Sequence, residues 1–290
     1  MTAEDEMKPV RSIERILKSQ PTLEGAGVCL KRAFGYNEVP LLDPFLLLDH
    51  FGSKNPEDYI AGFPWHPHRG IETVTYMIRG TVEHGDSIGN KGTIGSGDVQ
   101  WMTGGSGIIH QEMPQRFEGR TVGFQLWLNL PSSQKMMGPR YRDVKKEQIP
   151  EIEFEKNIKI KVICGKVNGI TGPVHDIVVD MEYLDITSGK RSLFEYPVKK
   201  GNKTFAYVFE GSGYFDSNRD KLIDEGHLVI YHDGDRVKII TNDSPVRFLL
   251  VSGKPINQAV AWRGPIVMNT EEELETAFKE LSDGNFIKQS

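Results

Sequence analysis

Gly62-Phe63-Pro64-Trp65-His66-Pro67-His68-Arg69-Gly70-Ile71-Glu72 and Gly107-Ile108-Ile109-His110-Gln111-Glu112-Met113-Pro114 bracket the stretch that decides how this 290-residue chain is read. Three histidines and a carboxylate fall in two pairs, His66/His68 and His110/Glu112, each spaced i and i+2. In an extended strand such side chains point to one face, about 7 Å apart along the backbone. Two strands carrying these pairs side by side would aim four metal-capable groups into one space. The expectation is a metal site built on strands.

The segments around this stretch carry the signals of short strands. Glu72 to Met77 is rich in Thr, Val and Tyr, and Thr81 to Ser87 alternates up to a turn at Gly89-Asn-Lys-Gly92. Val99 to Met102 follows the turn Gly95-Ser-Gly97-Asp98, and a glycine bend at Gly104-Gly-Ser-Gly107 leads into Ile108 to Glu112. Val122 to Leu130 places Phe124, Leu126 and Leu128 on one face, Gln125 and Trp127 on the other. Upstream, Val28 to Leu30 and Phe45 to Leu48 are short apolar runs, and Asp49 to Asp58 reads as loop. Strands about ten residues apart, separated by turns, indicate an all-β sandwich or barrel.

A second β-rich series occupies the C-terminal half: Ile158 to Cys164, Val174 to Ile186, Thr204 to Glu210, Gly213 to Phe215, His227 to Tyr231, Val237 to Thr241 and Val246 to Ser252. Its Phe209-Glu-Gly-Ser-Gly-Tyr echoes Met77-Ile-Arg-Gly-Thr-Val, which suggests a duplicated barrel. Pro131, Pro139, Pro150 and a basic run interrupt the pattern between the halves. The predicted organisation is an N-terminal metal-binding barrel over 1–135, a linker over 136–150, and a C-terminal barrel without metal over 151–290. Val10, Ile13, Ile16 and Leu17 fit a short helical stripe. Pro21 and Gly25-Ala-Gly27 soon interrupt that stripe and leave residues 1–20 ambiguous, so the one helix predicted is C-terminal, where Thr270 and Glu273 form a capping box ahead of the face Leu274, Ala277, Phe278 and Leu281.

Composition narrows the function classes. The net charge is −5, with 26% charged residues and no basic stripe, so direct nucleic-acid binding is not expected. No apolar run approaches the roughly 20 residues that cross a bilayer. The acidic opening Met-Thr-Ala-Glu-Asp-Glu lacks the apolar region of a secretory signal. Cys29 and Cys164 are far apart, which argues against a disulfide framework and fits a reducing compartment. A cytoplasmic location is expected, with the nucleus a further option in a eukaryote.

Imidazole plus carboxylate suits zinc, iron, nickel, copper or manganese, and the absence of thiolate disfavours a structural zinc site. Glu72 competes with Glu112 as the carboxylate, because strict alternation puts His66, His68 and Glu72 on one face. The pairing of Glu112 with His110 favours Glu112, leaving Glu72 to orient an imidazole or to pair with Arg69 or Arg79. Gly104 to Gly107 lacks the Lys-Ser/Thr of a phosphate loop. His50, His84, His175, His227 and His232 are isolated and read as having no ligand role. Phe63, Trp65, Trp101 and Met102 flank the cluster as packing groups or as walls for an aromatic ligand.

The stretch from Phe63 to Tyr76 resembles the first cupin motif in its pirin-family form, and Gly97 to Pro114 resembles the second. Leu42-Asp-Pro-Phe-Leu-Leu-Leu-Asp, Gln125-Leu-Trp-Leu-Asn-Leu and Gly264-Pro-Ile-Val-Met-Asn-Thr resemble pirin as well. The resemblance implies two tandem cupin barrels of the double-stranded β-helix or jelly-roll type, with a C-terminal helix. It implies one divalent metal in the first barrel, Fe(II) ahead of Zn, Ni, Mn or Cu, held by His66, His68, His110 and Glu112. It also implies either of two functions. One is a dioxygenase that opens flavonols such as quercetin with O2, releasing carbon monoxide, with Glu112 as general base. The other is a non-enzymatic, iron-binding, redox-responsive transcriptional co-regulator with a protein partner.

Overall fold

The computed structural model describes residues 9–288; the N-terminal segment on which the secretory-signal expectation falls lies outside them. The chain forms two compact units.

The unit that carries the histidines comprises, among the described residues, 20–146 and 256–288. Its larger sheet has seven antiparallel strands in the order Arg140–Val144, Val99–Thr103, Ile71–Arg79, Val122–Asn129, Phe45–Phe51, Val28–Phe34 and Gln20–Glu24. The smaller has four, in the order Phe63–His68, Ile108–Pro114, Val82–Asp86 and Lys91–Ile94. Leu30, Phe51 and Met77 of the larger sheet pack with Val82 and Ile94 of the smaller, so the unit is a two-layer β-barrel. In Val122–Asn129, Phe124, Leu126 and Leu128 are fully buried while Gln125 and Trp127 are half-buried. The period-2 pattern thus sets the face of each residue.

The other unit comprises, among the described residues, 9–19 and 147–255. One path of its sheet runs Ile13–Lys18, His227–Tyr231, Lys203–Tyr214, Val246–Gly253, Met181–Ser188, Ile158–Cys164 and Glu151–Glu155. Leu193–Pro197, Leu222–Asp224 and Arg236–Ile240 attach to it. Ile160, Leu184, Phe194, Phe215 and Phe248 fill its interior. Thr204 to Glu210 and Gly213 to Phe215, expected as two strands, are largely one bulged strand, Lys203–Tyr214.

The ambiguous stripe Val10 to Leu17 resolves as a strand, Ile13–Lys18, paired with His227–Tyr231. Two expectations about organisation are corrected. The segment 136–150 is not a linker, because Arg140–Val144 forms the edge strand beside Val99–Thr103. Nor does the C-terminal segment belong with the second half of the chain. Lys135, 1% exposed, donates from Nζ to Gly70 O (3.0 Å), Asn129 Oδ1 (2.8 Å) and Val267 O (2.9 Å). Arg69 donates to Glu280 Oε2 at 2.7 Å and to the Phe286 carbonyl at 2.8 Å. These bonds and the Leu46, Ile71 and Val267 cluster fix residues 256–288 to the histidine-bearing unit.

The C-terminal helix, α1, spans Glu271–Ser282, with the expected capping box at Thr270 and Glu273. It buries Leu274 and Ala277 against Ile266, Met268 and Phe286.

Candidate metal centre

His66 and His68 lie on Phe63–His68, which pairs antiparallel with Ile108–Pro114 so that His110 faces His66 and Ile108 faces His68. The register shifts between His110 and Glu112, leaving Glu112 opposite Phe63. The glycine bend that joins Val99–Thr103 to this strand requires glycine at Gly105: its φ is +47°, and a Cβ there would lie 2.2 Å from the Met137 carbonyl oxygen.

His66, His68 and His110 converge, with nitrogen atoms all within 4.8 Å of one another. His68 and His110 are each 1% exposed, and His66 is half-buried. His66 Nδ1 lies 2.8 Å from the Pro64 carbonyl oxygen, and His68 Nδ1 3.2 Å from that of Pro265. A carbonyl only accepts, so both Nδ1 atoms carry the proton and, in the neutral rings, both Nε2 atoms present lone pairs. Those Nε2 atoms are nonetheless 3.1 Å apart. Two lone pairs at that distance repel unless a cation accepts both.

His110 Nε2 is buried with no hydrogen-bond partner, while its Nδ1 lies 3.1 Å from Tyr141 Oη. Burial holds the pKa of His68 well below the usual imidazole range, the charge of His66 lowers it further, and the Pro265 carbonyl opposes both. Burial likewise depresses His110, followed by His68, His66 and His84. Imidazoles that converge in this way, with a buried ring nitrogen left without a partner, are the donor set of a divalent transition metal. The three histidines fit one.

Glu112, 4% exposed, is not part of the converging group. Its Oε1 accepts from Thr75 Oγ1 at 3.0 Å and its Oε2 from Gln125 Nε2 at 2.8 Å. Glu72 lies elsewhere. Gly70, with a φ of +76°, turns the chain between the two strands and ends the alternation that seemed to align Glu72 with the histidines. Glu72 is fully buried, accepts from Thr103 Oγ1 at 2.6 Å and lies 3.7 Å from Arg140 Nη2. Burial raises its pKa, against Thr103, Trp101 and Arg140. Its recorded partners are therefore neither an imidazole nor Arg69 or Arg79.

A cavity of about 610 Å³ adjoins the centre, lined by His66, His68 and Glu112 together with Thr75 and Gln125. Leu47, Phe51, Phe63 and Trp127 give it apolar walls, and Tyr36, Trp65 and Trp262 also line it. Trp65 is 54% exposed. Met102 is fully buried and is not among the lining residues. At Arg32, Nε and Nη2 donate to Asp49 Oδ1 and Oδ2 at 2.9 and 2.8 Å, and Nη2 lies 2.9 Å from Glu24 Oε1. Burial raises the pKa of Asp49 against the lowering effect of Arg32.

Sequence reasoning passed over Thr75, Gln125, Tyr141 and the Pro265 carbonyl. Only the alternation that sets Gln125 and Trp127 opposite Phe124 pointed towards any of them. Of the histidines set aside, His84 is buried outside the converging group. Its ring stacks on Tyr141, with centroids 5.5 Å apart and planes at 8°, and its Nε2 lies 3.5 Å from Asp143 Oδ2.

Fold and sequence comparisons define a two-cupin protein, with a three-histidine centre in one barrel. Residues 27–128 match the Pirin family and residues 183–287 the Pirin C-terminal cupin domain. The chain belongs to the pirin family. It is 42% identical to a pirin-like protein of Caulobacter vibrioides over 96% of this chain and all of that one. It is 40% identical to Pirin-1 of Arabidopsis thaliana, over 98% of this chain and 96% of that one. A crystal structure of quercetin 2,3-dioxygenase from Acinetobacter baumannii superposes with a TM-score of 0.89 at 30% identity, covering 96% of this chain and 99% of the other. No helix among the described residues is long and apolar enough to cross a membrane.

Proposed function

We propose that this protein is a metal-dependent dioxygenase of flavonol-type substrates, with Fe(II) as the working ion and O2 as co-substrate. The observation that carries the reading is the convergence of three imidazoles beside a cavity of about 610 Å³, a size that suits a drug-sized planar molecule. The likeness to a quercetin 2,3-dioxygenase over nearly the whole chain supports the substrate class.

His66, His68 and His110 would hold the ion, with Glu112 as a fourth ligand. When bound, the ion would supply Lewis acidity, lowering the pKa of a substrate hydroxyl. The remaining work falls to the chain. Phe63, Leu47, Phe51 and Trp127 exclude water and hold a flat ring system. Glu112, in the same cavity, accepts the hydroxyl proton as general base. The Pro64 and Pro265 carbonyls keep His66 and His68 in the tautomer that directs Nε2 to the ion. The apolar interior of the second barrel supports reading it as metal-free.

The test is aerobic incubation of iron-loaded protein with quercetin, following its absorbance and the carbon monoxide released. Wild type should consume substrate and release carbon monoxide. His66→Ala and Glu112→Gln should stay folded, by circular dichroism, and lose turnover. Full activity in both variants would refute the residue assignment. Iron binding without substrate loss would refute the activity and leave an iron-binding regulatory protein.

A further inference from the structure

Glu112 sits at the end of a directed hydrogen-bond circuit. Trp127 Nε1, which can only donate, gives its hydrogen to Gln125 Oε1 at 2.9 Å. That contact fixes the Gln125 amide with its NH2 group pointing the other way. Nε2 then donates to Glu112 Oε2 at 2.8 Å and to Thr75 Oγ1 at 3.3 Å. Thr75, having accepted from Gln125, passes its own hydroxyl hydrogen to Glu112 Oε1 at 3.0 Å. Every donor in the circuit runs toward the carboxylate, and none can reverse without breaking another bond.

The circuit's donors sit on neighbouring strands of one sheet. Gln125 pairs in register with Asp49 on one side and Thr75 on the other, and Asp49 in turn pairs with Arg32. All four side chains line the cavity on the histidine side of the unit. Glu112 meanwhile stands outside the group formed by the three histidines. Both of its oxygens are engaged by the sheet.

We propose that Gln125 is a positioning residue: with Thr75 it holds the Glu112 carboxylate in competition with the metal. Gln125 therefore sets how strongly Glu112 coordinates, and Trp127 sets the orientation of Gln125. The inference rests on the metal reading above but not on the reaction assigned to it. Each bond from amide or hydroxyl to a carboxylate is charge-assisted, so removing one shifts the balance toward coordination by about tenfold in metal affinity.

The probe is Co(II) added to metal-free, full-length protein, with affinity measured by chelator competition and ligation followed by visible absorption. Gln125→Met should bind Co(II) about tenfold more tightly than wild type and show a changed ligand-field spectrum. Thr75→Val should shift both in the same direction, which covers the case in which Gln125→Met fails to fold. In the Glu112→Gln background, adding Gln125→Met should produce no gain, because the competing carboxylate is gone. Unchanged or weaker binding in the single variants, or a gain that survives Glu112→Gln, would overturn the proposal. Wild type that binds no Co(II) would overturn both the proposal and the metal reading. Tight Co(II) binding in a protein whose iron form leaves quercetin intact would overturn only the reaction.

Discussion

His50 makes the stability of the histidine-bearing unit dependent on pH, in a window that follows from its surroundings. The side chain is 3% exposed and packs on Phe124 with ring centroids 4.8 Å apart. Burial, followed by the charges of Lys31 and Arg120, pushes its pKa down from 6.5 to about 3. The folded state therefore binds fewer protons than the unfolded state between those values. Stability is fully present above pH 6.5 and is lost as the pH falls towards 3. At about 1.4 kcal/mol for each pH unit, the full loss is about 5 kcal/mol, of which about 2.7 kcal/mol falls between pH 6.5 and 4.5. His68 and His110 are depressed too, so the wild-type profile alone does not isolate this group. The comparison with His50→Gln does. Urea unfolding of both metal-free proteins at pH 7 and pH 4.5 should show the wild type losing about 2.7 kcal/mol more than the variant, because the shared histidines cancel. Parallel losses in the two proteins would refute the assignment of a buried, neutral His50.

Three further outcomes follow from the contacts around the centre. Tyr141→Phe removes the partner of His110 Nδ1 and should weaken metal binding by about 10- to 100-fold in chelator competition, with little change in thermal stability. Gly70→Ala would bring a Cβ to 1.9 Å from the Val267 carbonyl oxygen at a φ of +76°, and should cost about 3 kcal/mol or more in a thermal melt. Lys135→Met removes one donor from three buried acceptors, of which the Gly70 carbonyl keeps a 3.4 Å bond from Leu130 N, and should cost about 3 kcal/mol. It should also speed proteolysis within residues 256–290.

Much of the histidine-bearing barrel was legible because its information is local. Strict alternation separates the two faces of Val122–Asn129, and spacing of i and i+2 places His66 beside His68. The capping box at Thr270 and Glu273 marks a helix start with no help from the rest of the chain. The readings that failed were those in which a local pattern was carried across a turn or a long connection. Alternation counted from His68 to Glu72 ignored the turn at Gly70, which resets the faces. The stripe of Val10, Ile13, Ile16 and Leu17, ambiguous by its local pattern, becomes a strand because His227–Tyr231 offers it an edge more than 200 residues away.

The amino-acid sequence by itself therefore determined the β architecture, the duplication and the location of the metal-capable residues. Tertiary structure alone decided which distant segments complete each unit. It returned residues 256–288 to the histidine-bearing barrel through Lys135 and Arg69, and brought the Pro265 carbonyl to His68. It also set Tyr141 against His110, and Thr75 and Gln125 against Glu112. The physical reason is common to all of these. Side-chain periodicity records which face a residue takes, but pairing between strands far apart in the chain depends on complementary edges and buried hydrogen bonds that exist only once both partners are folded.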